Sequence, residues 1–184
     1  TGITGGGFGD VFFSTFRLCN RLTSIPSGLF KDATRVAHYG FYYTFKDCTG
    51  LTSIPADLFS SITKGASNMF NSTFSGCTGL TSIPADLFSG ITTGAIAMFR
   101  STFNGCTNLS GYIPATTFSG LIANNHPTDT GMWSNTFSGT NVATTCPANT
   151  TQYITGYESE WDGRVSCLEA CLAGEYLPQN QTHL

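Results

Sequence analysis

The apolar positions of this chain fall into a pattern that returns at a fixed interval. A Phe stands at Phe16, Phe45, Phe74 and Phe103, a Cys at Cys19, Cys48, Cys77 and Cys106, and a Leu at Leu22, Leu51, Leu80 and Leu109, each series stepping by 29 residues. Ile25, Ile54 and Ile83 keep the same step, and Ile113 slips by one because Gly111-Tyr112 replaces a single residue. The shared phrase is F-x-x-C-x-x-L-x-x-I-P, followed by Leu-Phe pairs at Leu29-Phe30, Leu58-Phe59 and Leu87-Phe88, then by Phe118. Four residues before each Phe lies another aromatic: Phe12, Phe41, Phe70, Phe99 and finally Trp133 before Phe137. Thr15, Thr44, Thr73, Thr102 and Thr136 precede the same Phe in every copy.

Each unit translates into elements. In "AIAMFRSTFNGC", Met98, Phe99, Phe103 and Cys106 lie at spacings of one, four and three, which predicts one apolar face of a short helix. The Gly before Cys77 and Cys106 suits a helix end. "LTSIP" predicts a short strand stopped by its Pro, and "ADLFSGI" a single 3₁₀ or α turn opened by Asp57 or Asp86. No such unit buries its apolar side chains alone, so successive units must stack. The predicted fold class is α/β, a right-handed leucine-rich-repeat solenoid with short parallel strands on one face and short helices on the other. Phe45, Phe74, Phe103, Leu22, Leu51, Leu80, Leu109, Ile54 and Ile83 would form continuous core ladders, with Thr52, Ser53, Thr81 and Ser82 on the outer face of the strands.

The phrase "STFSGCTGLTSIPADLF" resembles the bacterial leucine-rich repeats of the BspA-like type, over residues 1 to about 143. The strand "LTSIP" is two residues shorter than that family's usual one. The resemblance implies a cell-surface or secreted protein that works by adhesion or binding and has no catalytic site. The domain division expected is 1–143 for the solenoid, with an incomplete first unit, and 144–184 for a cysteine-rich C-terminal segment. Because "TGITGGGFGDVFFSTF" aligns with the middle of a later unit, the chain is expected to be a piece of something longer. Phe137 is followed by Thr140 where a Cys is due, and Trp133 is expected to cover the last layer.

The seven cysteines form two populations. Cys19, Cys48, Cys77 and Cys106 read as a ladder of small, buried, reduced thiols, with disulfides between neighbouring layers as the alternative. Cys146, Cys167 and Cys171 lie outside it. "CPANTTQYITGY" and "CLAGEYLPQNQT" resemble the short cysteine-rich modules of the tumour-necrosis-factor-receptor or ephrin-receptor type. That resemblance implies oxidised cysteines and an extracellular compartment, with Cys146 pairing Cys167 and Cys171 reaching beyond Leu184.

Composition narrows the function. Charged residues make up 10% of the 184, the net charge is −3, and no basic run appears, which argues against nucleic acid as a partner. No apolar stretch approaches the roughly 20 residues of a membrane span. The glycines at Gly5, Gly6, Gly7 and Gly9 lack the strand that a phosphate loop requires. His38, His126 and His183 are scattered, no metal-ligand spacing or nucleophile motif occurs, and no cofactor is expected. Glu158, Glu160 and Asp162 surround Trp161 in a solvated acidic loop. Sequons stand at Asn71, Asn108, Asn149 and Asn180. The expected function is recognition of a protein or glycan on a host or neighbouring cell, through the sheet face, the inserted loop around His126, or Tyr112. The alternative is a structural segment of a surface fibre or layer, in which the chain pairs with itself by end-to-end repeat stacking.

Overall fold

The computed structural model describes residues 10–34, 36–123, 131–146, 150–154, 161, 163–164 and 166–169. Within them, equivalent side chains of successive units, 29 residues apart until the last steps of 30 and 34, stack into parallel columns. Phe16, Phe45, Phe74, Phe103 and Phe137 form one, with ring centroids 5.2, 5.5, 5.6 and 5.7 Å apart and planes within 7°. Phe12, Phe41, Phe70, Phe99 and Trp133 form a second, at 5.2, 5.3, 5.4 and 4.8 Å. Phe30, Phe59, Phe88 and Phe118 form a third, at 6.0, 5.5 and 5.4 Å. The second and third columns meet edge to face, as in Phe59–Phe70 at 64° and Phe88–Phe99 at 68°, the arrangement that the ring quadrupole favours. Leu51, Leu80, Leu109, Ile54 and Ile83 fill the rest of this elongated core.

A column spacing near that of adjacent strands leaves no room for stacked helices, since an α-helix is about 10 Å across. The segment around Phe99 and Phe103, expected to be helical, is instead a string of β-turns, and so are its equivalents. In the first layer Phe13, Thr15, Arg17 and Cys19 donate backbone N–H bonds to the carbonyls three residues back. The alternate N–H groups leave the segment: Asp10, Phe12, Ser14, Phe16 and Leu18 donate to His38, Gly40, Tyr42, Thr44 and Lys46 of the next layer at 2.8–3.0 Å. The same alternation recurs from residues 39–47 to 68–76, from there to 97–105, and on to 131–139. Every fourth residue adopts the left-handed conformation: Asn68 (φ 56°), Ser72 (56°) and Gly76 (73°) in one layer, Gly131 (63°), Asn135 (57°) and Gly139 (71°) in the last described. A turn string built this way is as thin as a strand, so it repeats at the strand spacing.

Side chains tie the layers together from within. Thr73, Thr102 and Thr136, fully buried, place Oγ1 within 2.5–3.0 Å of two carbonyls each, one in their own layer and one in the layer before. The "ADLF" segments are also turns, with Leu58 N–H donating to Pro55 and Ser60 N–H to Asp57. The one α-helix among the described residues is α1 (Ser119–Ala123), where the last copy departs from the repeat.

The "LTSIP" face carries few ladder bonds. Thr52 N–H donates to Thr23 and Ser110 N–H to Thr81. Among the described residues, the regular strands are β1 (Ser110–Gly111), β2 (Ile113–Pro114), β3 (Asn141–Val142), β4 (Thr150–Ile154) and β5 (Ser166–Glu169). β1 pairs parallel with β3; β5 lies between β2, parallel, and β4, antiparallel. Gly79 shows why a "TGL" glycine sits in this bend: a Cβ there would lie 2.7 Å from the carbonyl oxygens of both Thr49 and Leu51 in the preceding layer.

The end of the stack is closed by Trp161, not by Trp133. Trp133 continues the second column, and Trp161, 1% exposed, contacts the terminal ring of all three: Phe118 at 5.8 Å, Trp133 at 5.7 Å and Phe137 at 6.3 Å. The Arg164 guanidinium donates to the carbonyls of Val142 (2.6 Å) and Thr140 (2.9 Å), and a Cys146–Cys167 disulfide joins the two flanks. The described part of 144–184 therefore packs directly on the last layer.

Candidate functional site

The turn strings present an outer face whose residues do not obey the repeat. Where the core columns keep Phe and Thr, four intervening positions change along the stack, and Asn71, Ser72, Ser75 and Ala97 among them are buried while Phe13, Arg17, Tyr39 and Arg100 are exposed. One runs Phe13, Tyr42, Asn71, Arg100; the next Ser14, Tyr43, Ser72, Ser101; a third Arg17, Lys46, Ser75, Asn104; a fourth Asp10, Tyr39, Asn68, Ala97. Residues that vary on a uniform frame are where recognition resides. In the first two layers they gather an aromatic cluster. Phe13 stacks on Tyr42 with centroids 5.2 Å apart and planes at 10°. Tyr42 meets Tyr43 at 4.0 Å and Tyr39 edge-on at 5.4 Å. Phe13 is 46% and Tyr39 42% exposed.

Cations rim this cluster. The Arg17 guanidinium lies 5.4 Å and the Lys46 ammonium 5.6 Å from the centroid of Tyr43, within cation–π range. Lys46 also pairs with Asp47 at 3.6 Å and donates to Ser75 Oγ at 3.5 Å. The Tyr42 phenol is pushed up to about 12, chiefly by burial and then by its hydrogen bond to Tyr43 and the neighbouring phenols, while the Arg100 charge pulls the other way. Tyr42 is therefore a neutral phenol at physiological pH. In "HYGFYYTF", Tyr39, Tyr42 and Tyr43 stand where the other layers hold Asp10, Asn68 and Ala97, Phe13, Asn71 and Arg100, and Ser14, Ser72 and Ser101.

The residues singled out from sequence take the following places. Thr52, Ser53, Thr81 and Ser82 are exposed, and Thr52 Oγ1 already donates to the Thr23 carbonyl at 3.2 Å. Tyr112 is half-buried. Asp57 accepts a bond from Ser27 Oγ of the preceding layer at 2.6 Å. Asn71, the first sequon, is only 8% exposed, and its amide donates to Asn68 Oδ1, so a glycan has no room on the folded chain there. Asn108 is exposed. Asn149, Asn180, Cys171, His126, His183, Glu158, Glu160, Asp162 and the glycines Gly5 to Gly9 lie outside the described residues.

In the cysteine ladder, Cys48, Cys77 and Cys106 are fully buried free thiols, each donating to the Phe carbonyl of the layer before: Phe16 at 2.9 Å, Phe45 at 3.0 Å and Phe74 at 3.1 Å. Burial raises all three, Cys48 to about 11 and Cys106 to about 12. Cys19, expected in the core, is exposed, and Leu22 is half-buried, because both belong to the first described layer. Among the described residues no three His, Cys, Asp or Glu gather as metal ligands, and no helix is long and apolar enough to cross a membrane.

No protein-family model, no curated protein and no solved structure matches the chain.

Proposed function

We propose that the chain is a non-catalytic binding module of a cell-surface or secreted protein, a leucine-rich-repeat-type solenoid of the BspA-like kind that recognises a protein or glycan partner. The observation that carries this is the Phe13–Tyr39–Tyr42–Tyr43 cluster with its rim of Arg17, Lys46 and Arg100. Exposed Tyr and Arg, held rigid by stacking, are the residue types that dominate binding energy at recognition surfaces. The layered core beneath them supplies rigidity. The Cys146–Cys167 disulfide and the low charge content support an oxidising, extracytoplasmic setting.

The structural-segment alternative draws on Phe12 and Phe16, which are only partly buried at the first described layer and offer ring faces for a further layer. Trp161 opposes it, because head-to-tail stacking has to displace that indole from the far end of all three columns. The test is a cell-surface and extracellular-matrix binding assay run beside analytical ultracentrifugation. Saturable binding by a monomeric chain is expected. Filaments or end-to-end oligomers, with no saturable binding, would replace the module reading by the structural one.

A further inference from the structure

We propose that the outer side of the first described layer is a docking edge for a separate polypeptide carrying this same repeat phrase, which adds one further turn string to the stack. The inference goes beyond the reading of the tyrosine cluster and does not depend on it. It starts from the polarity of a turn string. In each layer the alternate N–H groups point to the next layer, and the alternate carbonyls point to the layer before. Gly40, Tyr42, Thr44 and Lys46 accept there from Phe12, Ser14, Phe16 and Leu18. The equivalent carbonyls of the first layer are those of Val11, Phe13, Thr15 and Arg17, and among the described residues none of them accepts a hydrogen bond.

Side-chain donors run the opposite way. Thr44 Oγ1 and Cys48 Sγ, both fully buried, donate to the Phe12 and Phe16 carbonyls of the layer before, at 2.8 and 2.9 Å. Their first-layer equivalents, Thr15 and Cys19, are exposed. The same edge is apolar. Phe12, Phe13 and Phe16 each stack one face on a ring of the next layer, 5.2 Å away and within 10° of parallel, so the opposite faces turn outward along the stack. Leu29 is 40% exposed, whereas its equivalents Leu58 and Leu87 are buried, and Leu18 is 58% exposed.

Hydrogen-bond polarity selects the occupant. The edge of a β-strand presents carbonyls beside its N–H groups, so it would set carbonyl against carbonyl here. A second copy of this chain docking first layer to first layer does the same, and its other end is closed by Trp161. Residues 1–9 align with the stretch that precedes the turn string inside a unit, not with another layer. The fitting surface has N–H groups on one side at every second residue. It also offers the carbonyls of two aromatic residues four apart to Thr15 and Cys19, and the rings of those residues to Phe12 and Phe16. That is the donor side of the repeat phrase, so the edge continues the interface that already joins each described layer to the next.

The experiment titrates the full chain with a synthetic peptide of one unit, Ser67–Ala95 carrying Cys77→Ala. Docking is read by calorimetry and as protection of Cys19 from iodoacetamide, measured on the tryptic fragment Leu18–Arg21. Two controls each remove one feature. The first is the peptide N-methylated at Ser72 and Phe74, whose N–H groups bond across the layer contact. The second is Thr15→Lys in the chain, an exposed position at which thermal unfolding is expected to stay unchanged. One-to-one binding is expected, with alkylation of Cys19 slowed about tenfold and each control weakening binding at least about tenfold. Equal binding by the methylated peptide or by the Thr15→Lys chain would overturn the assignment, since general apolar capture gives that result. A Gly-Ser tether joining the unit to Thr1 raises its effective concentration to about millimolar. Cys19 that stays reactive even then overturns the edge itself, and protection on the tether alone overturns the separate partner.

Discussion

The Sγ–H of Cys77 lies 3.0 Å from the Phe45 carbonyl with no surface exposed to solvent, and Cys48 and Cys106 repeat that arrangement. A thiolate in this place would lose hydration and turn its bond to a carbonyl into repulsion, so each folded-state value lies above the ordinary 9.0. The sign of the linkage follows. Below pH 9 the thiols are protonated in both states and contribute no slope. Above it the unfolded chain releases protons that the folded chain keeps, so stability falls as pH rises from about 9 toward 11 or 12. A urea midpoint measured from pH 8 to 10.5 is expected to decline, and Cys77→Ala to flatten part of that decline. A midpoint equally steep in the variant would mean that the ladder thiols do not carry it. The even spacing of these cysteines is plain in the sequence. The exposure of Cys19 is not, because a repeat says what is equivalent and not which layer is outermost.

One step up, the turn strings show what periodicity leaves undecided. Aromatics at i and i+4, as in Phe70 and Phe74, suit a 3.6-residue helix and a 4-residue succession of turns alike. Two facts separate them. The layers lie too close for helices, which only the column distances reveal. And Asn68, Ser72 and Gly76, small or turn-favouring residues, recur at the same fourfold interval, a sign of left-handed positions that is visible in the sequence. The consequence is measurable. With α1, Ser119–Ala123, as the described helix, far-ultraviolet circular dichroism is expected to lack the helical double minimum. Gly105→Ala tests the geometry locally: φ is 72° and no atom crowds the site within 3.9 Å, so the cost is conformational, about 1 kcal/mol in chemical denaturation. Gly105→Asn is expected to cost less, and a stabilising Gly105→Ala would contradict the turn string.

For the molecule as a whole, stability rests on closing an elongated core at its end. Trp161→Ala uncovers Phe118, Trp133 and Phe137 together and is expected to cost about 3–5 kcal/mol. Reducing Cys146–Cys167, which closes a loop of sequence separation 21, is expected to cost about 3 kcal/mol more. Thermal melts of the variant, oxidised and reduced, check both; a melt insensitive to either change would remove Trp161 from the role of a lid. The period and the core ladders were open to a reading of the sequence because they repeat. Trp161 and the tyrosine cluster were not, because each occurs once, and a residue that appears once carries no statement about what it packs against.

Trp161 also bears on how the chain counts its own coils. Neighbouring layers are nearly interchangeable inside, so during synthesis one unit can settle on the wrong neighbour and loop out an intervening copy with little local penalty. The indole packs against a terminus that carries Trp133 beside Phe137, and it follows the described copies along the chain. A stack missing an internal unit still presents that terminus, whereas one halted a unit early does not, so the Trp161 contact registers completion of the assembly rather than its internal order.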